Sequence, residues 1–163
     1  MFQVGDRCVY PLHGVFSVEA IEEREFLEES QLYYILEETA QSLNGMCLMI
    51  PFKMKSEKKV RPIVDTETMK HVLLTLFSHE TDQSISWRER CRINTDKMGS
   101  GDIYQETEVI RDLTRLNEIK KLGMAEKDML QKAIHTLMSE LSLVNNINEE
   151  QARDLLRRTI PNM

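Results

Sequence analysis

The feature that most constrains the fold is a change in the spacing of the apolar residues close to Asp65. Before this residue, apolar and polar residues mostly alternate, and glycine or proline interrupts the pattern at short intervals, which is typical of β-strands. After it, apolar residues recur every three or four positions, as on one face of a helix. The pattern therefore predicts an α+β protein with two modules, a β module over residues 1–64 and a helical module over residues 65–163.

The β module is predicted to contain four or five short strands, over residues 7–10, 15–26, 31–36, 45–50 and 60–64. Pro62 cannot donate a backbone hydrogen bond, so the last strand suits the edge of a sheet. This many short strands in so few residues favours a small SH3-like or Tudor-like barrel. Such barrels mostly bind partners, so we expect a binding domain.

The helical module is predicted to be an all-α bundle of about five helices. Residue types that cap helix N-termini precede the apolar patterns at Asp65 or Thr66, Ser86, Asp102 and Asn148. Asn148 and Gln151 have the spacing of a capping box. A further helix is expected to start near Met124.

The only tryptophan lies next to several cations. Ser86 and Glu89 have the spacing of a capping box, which places Trp87 in the first turn of a helix. The cations on or beside one flank of this helix are Arg88, Arg90, Arg92 and Lys97. An apolar wedge beside cations suits a phosphate-lined groove of a nucleic acid. The alternative is an inward stripe of Trp87, Cys91, Asn94 and Met98, with the arginines as a solvated face.

The charge distribution excludes a general polyanion-binding protein. The chain has a net charge of −6, and dividing it after Val64 leaves −3 on each part. Neither module would hold DNA tightly by charge alone, so we expect another protein to bring the chain to any nucleic acid. The basic loop of Lys53, Lys55, Lys58, Lys59 and Arg61 is either solvated or a further nucleic-acid contact.

Cysteine use and motifs point away from an enzyme. The chain has three cysteines, Cys8, Cys47 and Cys91, and no C-x-x-C pair, so we expect neither a metal site nor a disulfide framework. The N-terminus does not resemble a signal peptide, and no apolar run reaches membrane-spanning length, so a cytoplasmic protein is predicted. No cofactor is expected. An enzyme built around His13 or Cys91 is a remaining alternative, although no catalytic motif accompanies it.

Several motifs resemble those of the CarD/CdnL family of bacterial transcription regulators. The segment VGDRCVYPLHGV, residues 4–15, is similar to the family's opening motif V-G-D-x-V-V-Y-P-x-H-G-V. The segments WRERCRIN from Trp87, SGD from Ser100 and EVIRDL from Glu108 look like the family's helical domain. The likeness covers essentially the whole chain and keeps the same order.

The resemblance implies a non-enzymatic regulator of transcription initiation. In the family, a Tudor-like module shared with transcription-repair coupling factor pairs an edge strand with the β subunit of bacterial RNA polymerase. The helical domain lies against promoter DNA at the upstream edge of the transcription bubble, with its tryptophan wedged into the minor groove. This contact slows collapse of the open complex.

Carried over to this sequence, the resemblance and the basic stretch assign two sets of residues. The expected DNA-binding residues are Trp87, Arg88, Arg90, Arg92 and Lys97, and the expected polymerase-binding residues are Arg24, Glu25, Phe26 and Met49. Met49 stands where the family can carry an arginine, and Glu89 stands where the family commonly has a basic residue.

Two further questions stay open at this point. An adaptor of the same architecture, with Trp87 buried, would bind polymerase or another protein without touching DNA. We expect a monomer, and dimers formed through an edge strand or by domain swapping are the alternatives.

Overall fold

The computed structural model describes residues 1–26, 29–39, 46–52, 60–161 and 163, with only the backbone of Phe26 and Glu29. In this part of the chain an antiparallel five-stranded sheet is followed by five helices. The predicted α+β fold with two modules is confirmed.

The sheet has the strand order β4-β3-β2-β1-β5. Its strands are β1 (Arg7–Tyr10), β2 (Gly14–Phe26), β3 (Glu29–Glu38), β4 (Cys47–Pro51) and β5 (Arg61–Pro62). The last strand is shorter than predicted and lies at the edge, as Pro62 requires. Of the predicted basic loop, Arg61 is described, and the four lysines lie outside the described residues.

One face of the sheet carries the core of the β module. Alternation along the paired strands brings together Cys8, Phe16, Val18, Tyr34, Leu36 and Ile50, all buried. Strand β2 pairs with β1, and with the residues just before β1, only as far as Val18. On its other side, β2 pairs with β3 as far as Phe26. On the side away from β2, β3 is accompanied by β4 and Phe52 only as far as Leu32. Residues 24–26 and 29–31 therefore extend beyond the rest of the sheet as a two-stranded ribbon.

Four of the five helices begin where the capping residues predicted them, and the helix without a side-chain cap begins at Met124, as expected, after Gly123. The five helices are α1 (Thr66–Thr75), α2 (Trp87–Gly99), α3 (Ile103–Ile119), α4 (Met124–Val144) and α5 (Glu149–Thr159). The side chains of Asp65, Ser86, Asp102 and Asn148 each accept a backbone N–H of the following first turn. The reciprocal capping box of Asn148 and Gln151 is also present.

A buried ion pair joins the two modules. Arg61 of β5 donates through Nη1 and Nη2 to the two carboxylate oxygens of Glu140 in α4, at 2.6 and 2.8 Å. Glu140 is fully buried, and its Oε1 also accepts the backbone N–H of Val64 at 2.9 Å. Leu12 and Val64 of the β module pack against the core of the helical module. Polar and apolar contacts thus fix the modules against each other.

Replacing Glu140 with alanine is expected to lower the free energy of unfolding by roughly 3 to 5 kcal/mol. The change would leave the Val64 N–H buried without its acceptor, and it would leave the Arg61 guanidinium with only the more distant Glu106 carboxylate, 3.5 Å away. Chemical denaturation measures the loss. Arg153→Ala is the control, because it breaks a pair whose arginine is 47% exposed and should change stability by less than about 1 kcal/mol. Equal effects of the two changes would contradict the role of Glu140.

Candidate nucleic-acid and protein interfaces

Trp87 stands at the exposed tip of α2. It is the first residue of the helix, directly after Ser86, whose hydroxyl accepts the Glu89 N–H at 3.4 Å. The tryptophan is 55% exposed, whereas Asn94 and Met98 further along the helix are each 3% exposed. Buried residues of α2 therefore occur only beyond its first turns, from Asn94 onward. The alternative in which Trp87 is buried is wrong.

Arg90 holds the start of α2 against the start of α4. Its Nε and Nη2 lie 2.8 and 2.7 Å from Oε1 of Glu126, and its Nη1 donates to the Ile85 carbonyl at 3.2 Å. The Arg90 side chain is 11% exposed and that of Glu126 is 5% exposed. The charge of Arg90 thus faces the protein interior, where it fixes the helix end that carries Trp87.

The other three predicted cations on α2 differ in their surroundings. Arg88 is exposed, and Arg92 is exposed beside Asp96, with 3.5 Å between Nη1 and Oδ2. Lys97 bridges to α3 instead, with its Nζ 2.8 Å from Oε2 of Glu108. Arg88 and Arg92 are therefore the cations that α2 presents to solvent beside the tryptophan.

The structure adds residues to this site that the sequence pattern did not single out. Lys97, near the end of α2, contacts Glu108 in the first half of α3, and Arg90, near the start of α2, contacts Glu126 at the start of α4. Helices α2 and α3 are therefore antiparallel, and Trp87 lies level with the end of α3 and the start of α4. Exposed residues at this end include Ile119 (62%), Lys120, Lys121 and Met124 (88%), with the exposed carboxylates of Glu89 and Glu118 nearby in sequence. Together with Trp87 and Arg88, the first four of these form what we call the tip surface. The adjacent lysines are visible in the sequence, but their location depends on helix packing.

The connection between α1 and α2 is fastened to α3. Arg115 donates to the carbonyl oxygens of Phe77 and His79, at 2.9 and 2.5 Å. The hydroxyl of Thr81 donates to Asp112 Oδ1 at 2.7 Å. Asp112 belongs to the EVIRDL segment, so part of this family motif fastens the connection that leads to α2.

The two candidate groups for an enzyme lie on different elements, His13 between β1 and β2 and Cys91 in α2. Burial and the nearby Glu126 raise the pKa of Cys91 above its ordinary value, while Arg90 lowers it in part. A thiol with a raised pKa is mostly protonated at neutral pH and is a poor nucleophile. His13 stacks on the Tyr10 ring, with 4.8 Å between ring centroids.

The described residues contain neither a cluster suited to a metal nor a spanning helix. No group of three or more His, Cys, Asp or Glu side chains in them is placed to hold a metal ion. None of their helices combines the length and the apolar character needed to cross a membrane.

The predicted polymerase-binding residues lie on β2 and β4. Arg24 pairs across strands with Gln31 and Met49 with Ile35, so both point to the face opposite the core of the β module. The Arg24 side chain is 58% exposed beside Glu22, and Met49 is 55% exposed. Their partners on β3 are four residues apart, which is about 13 Å along the strand.

The remaining two predicted contacts differ from these. Glu25 is exposed and pairs with Ser30, which places it on the other face of the ribbon. The side chain of Phe26 lies outside the described residues. A partner that covers Arg24 and Met49 would therefore contact one face of the sheet and the end of its ribbon.

Family models match both modules of the chain. Residues 2–64 match the model of the CarD-like/TRCF RID domain, and residues 71–157 match that of the CarD C-terminal domain. A putative transcription factor of Bacillus subtilis (strain 168), YdeB, is 43% identical over 154 residues, which cover 94% of this chain and 98% of that protein. These matches support a transcription-related role in which the chain interacts with RNA polymerase. With both modules matched in order, the protein belongs to the CarD-like family.

Proposed function

We propose that the protein stabilises the open promoter complex by inserting Trp87 at the upstream edge of the transcription bubble while its β module holds the β subunit of RNA polymerase. The observation that carries this proposal is the 55% exposure of Trp87 on a helix end fixed by Arg90 and Glu126. A large aromatic ring on a rigid support is preorganised for insertion, because little conformational freedom remains to be lost on binding.

The indole favours the open state because its stacking partner exists only there. A base at the melted junction has lost one neighbour, and stacking on an aromatic side chain is worth roughly 1 to 3 kcal/mol per base. A ligand shifts an equilibrium by its difference in affinity for the two states. Because about 1.4 kcal/mol corresponds to a tenfold change, one ring is sufficient to lengthen the life of the complex.

Cations of the tip surface would hold the neighbouring phosphates. Arg88, Lys120 and Lys121 of this surface are exposed, and Arg92 lies further along α2. Arg90 positions the helix in this proposal, since a contact with DNA would require it to leave Glu126. Lys97 likewise connects α2 to α3.

Polymerase binding compensates for the weak attraction to DNA. The net charge of −6 opposes binding to a polyanion. A module tethered through polymerase meets the promoter at an effective concentration that reaches the millimolar range. Arg24 and Met49, on one exposed face of the sheet, are the proposed contacts with the β subunit, and Met49 would contribute apolar area in place of an arginine's charge.

Replacing Trp87 with alanine is expected to shorten the lifetime of the open complex about fivefold or more relative to wild type, while polymerase binding is retained. Lifetimes on a promoter with purified polymerase measure the effect, and co-sedimentation measures binding. Leu74→Ala is the matched control, because it removes a large apolar side chain that is 74% exposed on α1. An unchanged lifetime with Trp87→Ala would refute the insertion and favour an adaptor that does not touch DNA.

Replacing Arg24 with glutamate is expected to abolish both polymerase binding and the lifetime effect. The change reverses a charge on the proposed contact face, and like charges across an interface oppose association. Arg7→Glu reverses an exposed charge elsewhere on the same sheet and should leave binding intact. If Arg24→Glu bound polymerase normally, the assignment of this face would be wrong, although the role of Trp87 could still hold.

Replacing Lys120 and Lys121 together with alanine is expected to reduce the salt dependence of binding to a forked DNA duplex. Each lost phosphate contact lowers the slope of log K against log salt by about 0.7 to 0.9. Fluorescence anisotropy at several salt concentrations measures this slope. The control is Lys70→Ala with Lys132→Ala, which removes two exposed lysines from the middle of other helices. Equal slopes for the two double variants would remove these lysines from the DNA surface.

A further inference from the structure

We call the contact of Arg61 and Val64 with Glu140 the joint between the modules. A further carboxyl group, that of Glu106, lies beside this joint, and the single cation Arg61 cannot balance both carboxylates. Glu106 of α3 lies beside Arg61, with 3.5 Å between Oε2 and Nη2, and is 7% exposed. Arg61 already donates to both oxygens of Glu140. If both carboxyl groups are ionised, the buried cluster carries two negative charges against a single positive one.

The second oxygen of Glu106 has no partner among the described residues. Its Oε1 is buried and makes no hydrogen bond, whereas Glu140 Oε1 accepts from both Arg61 and Val64. A buried carboxylate oxygen without a donor strongly disfavours the ionised form. Glu106 is therefore the group whose charge the closed joint disfavours.

Within the described part of the chain, the charged groups on the surrounding elements are already paired. Arg61 comes from β5 and Glu140 from α4, and these two face Glu106 directly. On α1, His71 is hydrogen-bonded to the Tyr104 hydroxyl, with 3.1 Å between Nδ1 and Oη. On α2, Lys97 pairs with Glu108. Burial, and in smaller part the charge of Glu140, raise the pKa of Glu106 to about 7 against the opposing effect of Arg61.

We propose that Glu106 makes the contact between the two modules proton-dependent, so that the joint is tightly closed when Glu106 is protonated and opens more often when it is ionised. In the closed joint a neutral Glu106 leaves the Arg61–Glu140 pair balanced. Once ionised, it is better solvated in an opened joint, where water reaches its free oxygen. The inference does not depend on which partner the protein binds.

The direction of the pH dependence follows from linkage. In the open joint Glu106 is hydrated and titrates near its ordinary pKa of 4.5, whereas in the closed joint its pKa is about 7. Between these values the closed joint binds more protons, so raising the pH favours opening. The opening constant should rise by at most about tenfold per pH unit in this window and level off above it.

Amide hydrogen exchange of Val64 measures the opening, because its N–H donates to Glu140 inside the joint. Protection factors, corrected for intrinsic exchange, would be measured by NMR from pH 5 to pH 8. We expect protection of Val64 to fall across this range in the wild type and to stay level in Glu106→Gln. The amide of Val18, which donates to the Asp6 carbonyl in the sheet, reports global unfolding and should not change in parallel.

One control variant and one independent measurement complete the test. Glu80→Gln removes an exposed carboxylate from the α1–α2 connection and should behave like the wild type. The carboxyl carbon shift of Glu106 in the wild-type chain, followed against pH, gives the titration directly even if Glu106→Gln fails to fold. A midpoint near 4.5, a Val64 slope that persists in Glu106→Gln, or parallel loss of Val18 protection would each overturn the proposal.

Discussion

The arrangement of the molecule depends on the ion pair between Arg61 and Glu140. The two residues are 79 positions apart and come from different modules, yet the cation is nearly buried and the carboxylate fully so. Burying either charge alone would cost several kcal/mol, so the closed joint requires both. The same carboxylate accepts the N–H of Val64, just before the cap of α1. The Glu140 side chain therefore contacts both the edge strand β5 and the segment that leads into α1.

A second buried ion pair joins two helices at the other end of the helical module. Arg90 and Glu126 join α2 to α4, and Arg90 also bonds to the carbonyl that precedes the cap of α2. The only tryptophan of the chain is thereby held outward, although burying its ring would remove a large apolar area from water. Structural stability alone does not account for this exposure. In the proposed complex, stacking on a base would cover the ring.

The proposed surfaces lie on separate modules, so the rigidity of the joint matters for the proposed function. Arg24 and Met49 face outward from the sheet, and the tip surface lies at one end of the helices. A contact at one surface can place the other only if the modules keep a defined orientation. Glu106 would make that orientation sensitive to pH, because it adds a second carboxyl group to a single buried cation.

Local physics in the sequence determined the elements and their order. Alternation predicted the strands, and the caps at Asp65, Ser86, Asp102 and Asn148 predicted where the helices start, since these effects act over a few residues. Only the tertiary structure decided which charges are free. Arg88 and Arg90 look alike in the sequence, yet one is exposed and the other is paired with Glu126, which lies 36 residues away from it. Burial depends on residues distant along the chain, and no local pattern contains that information.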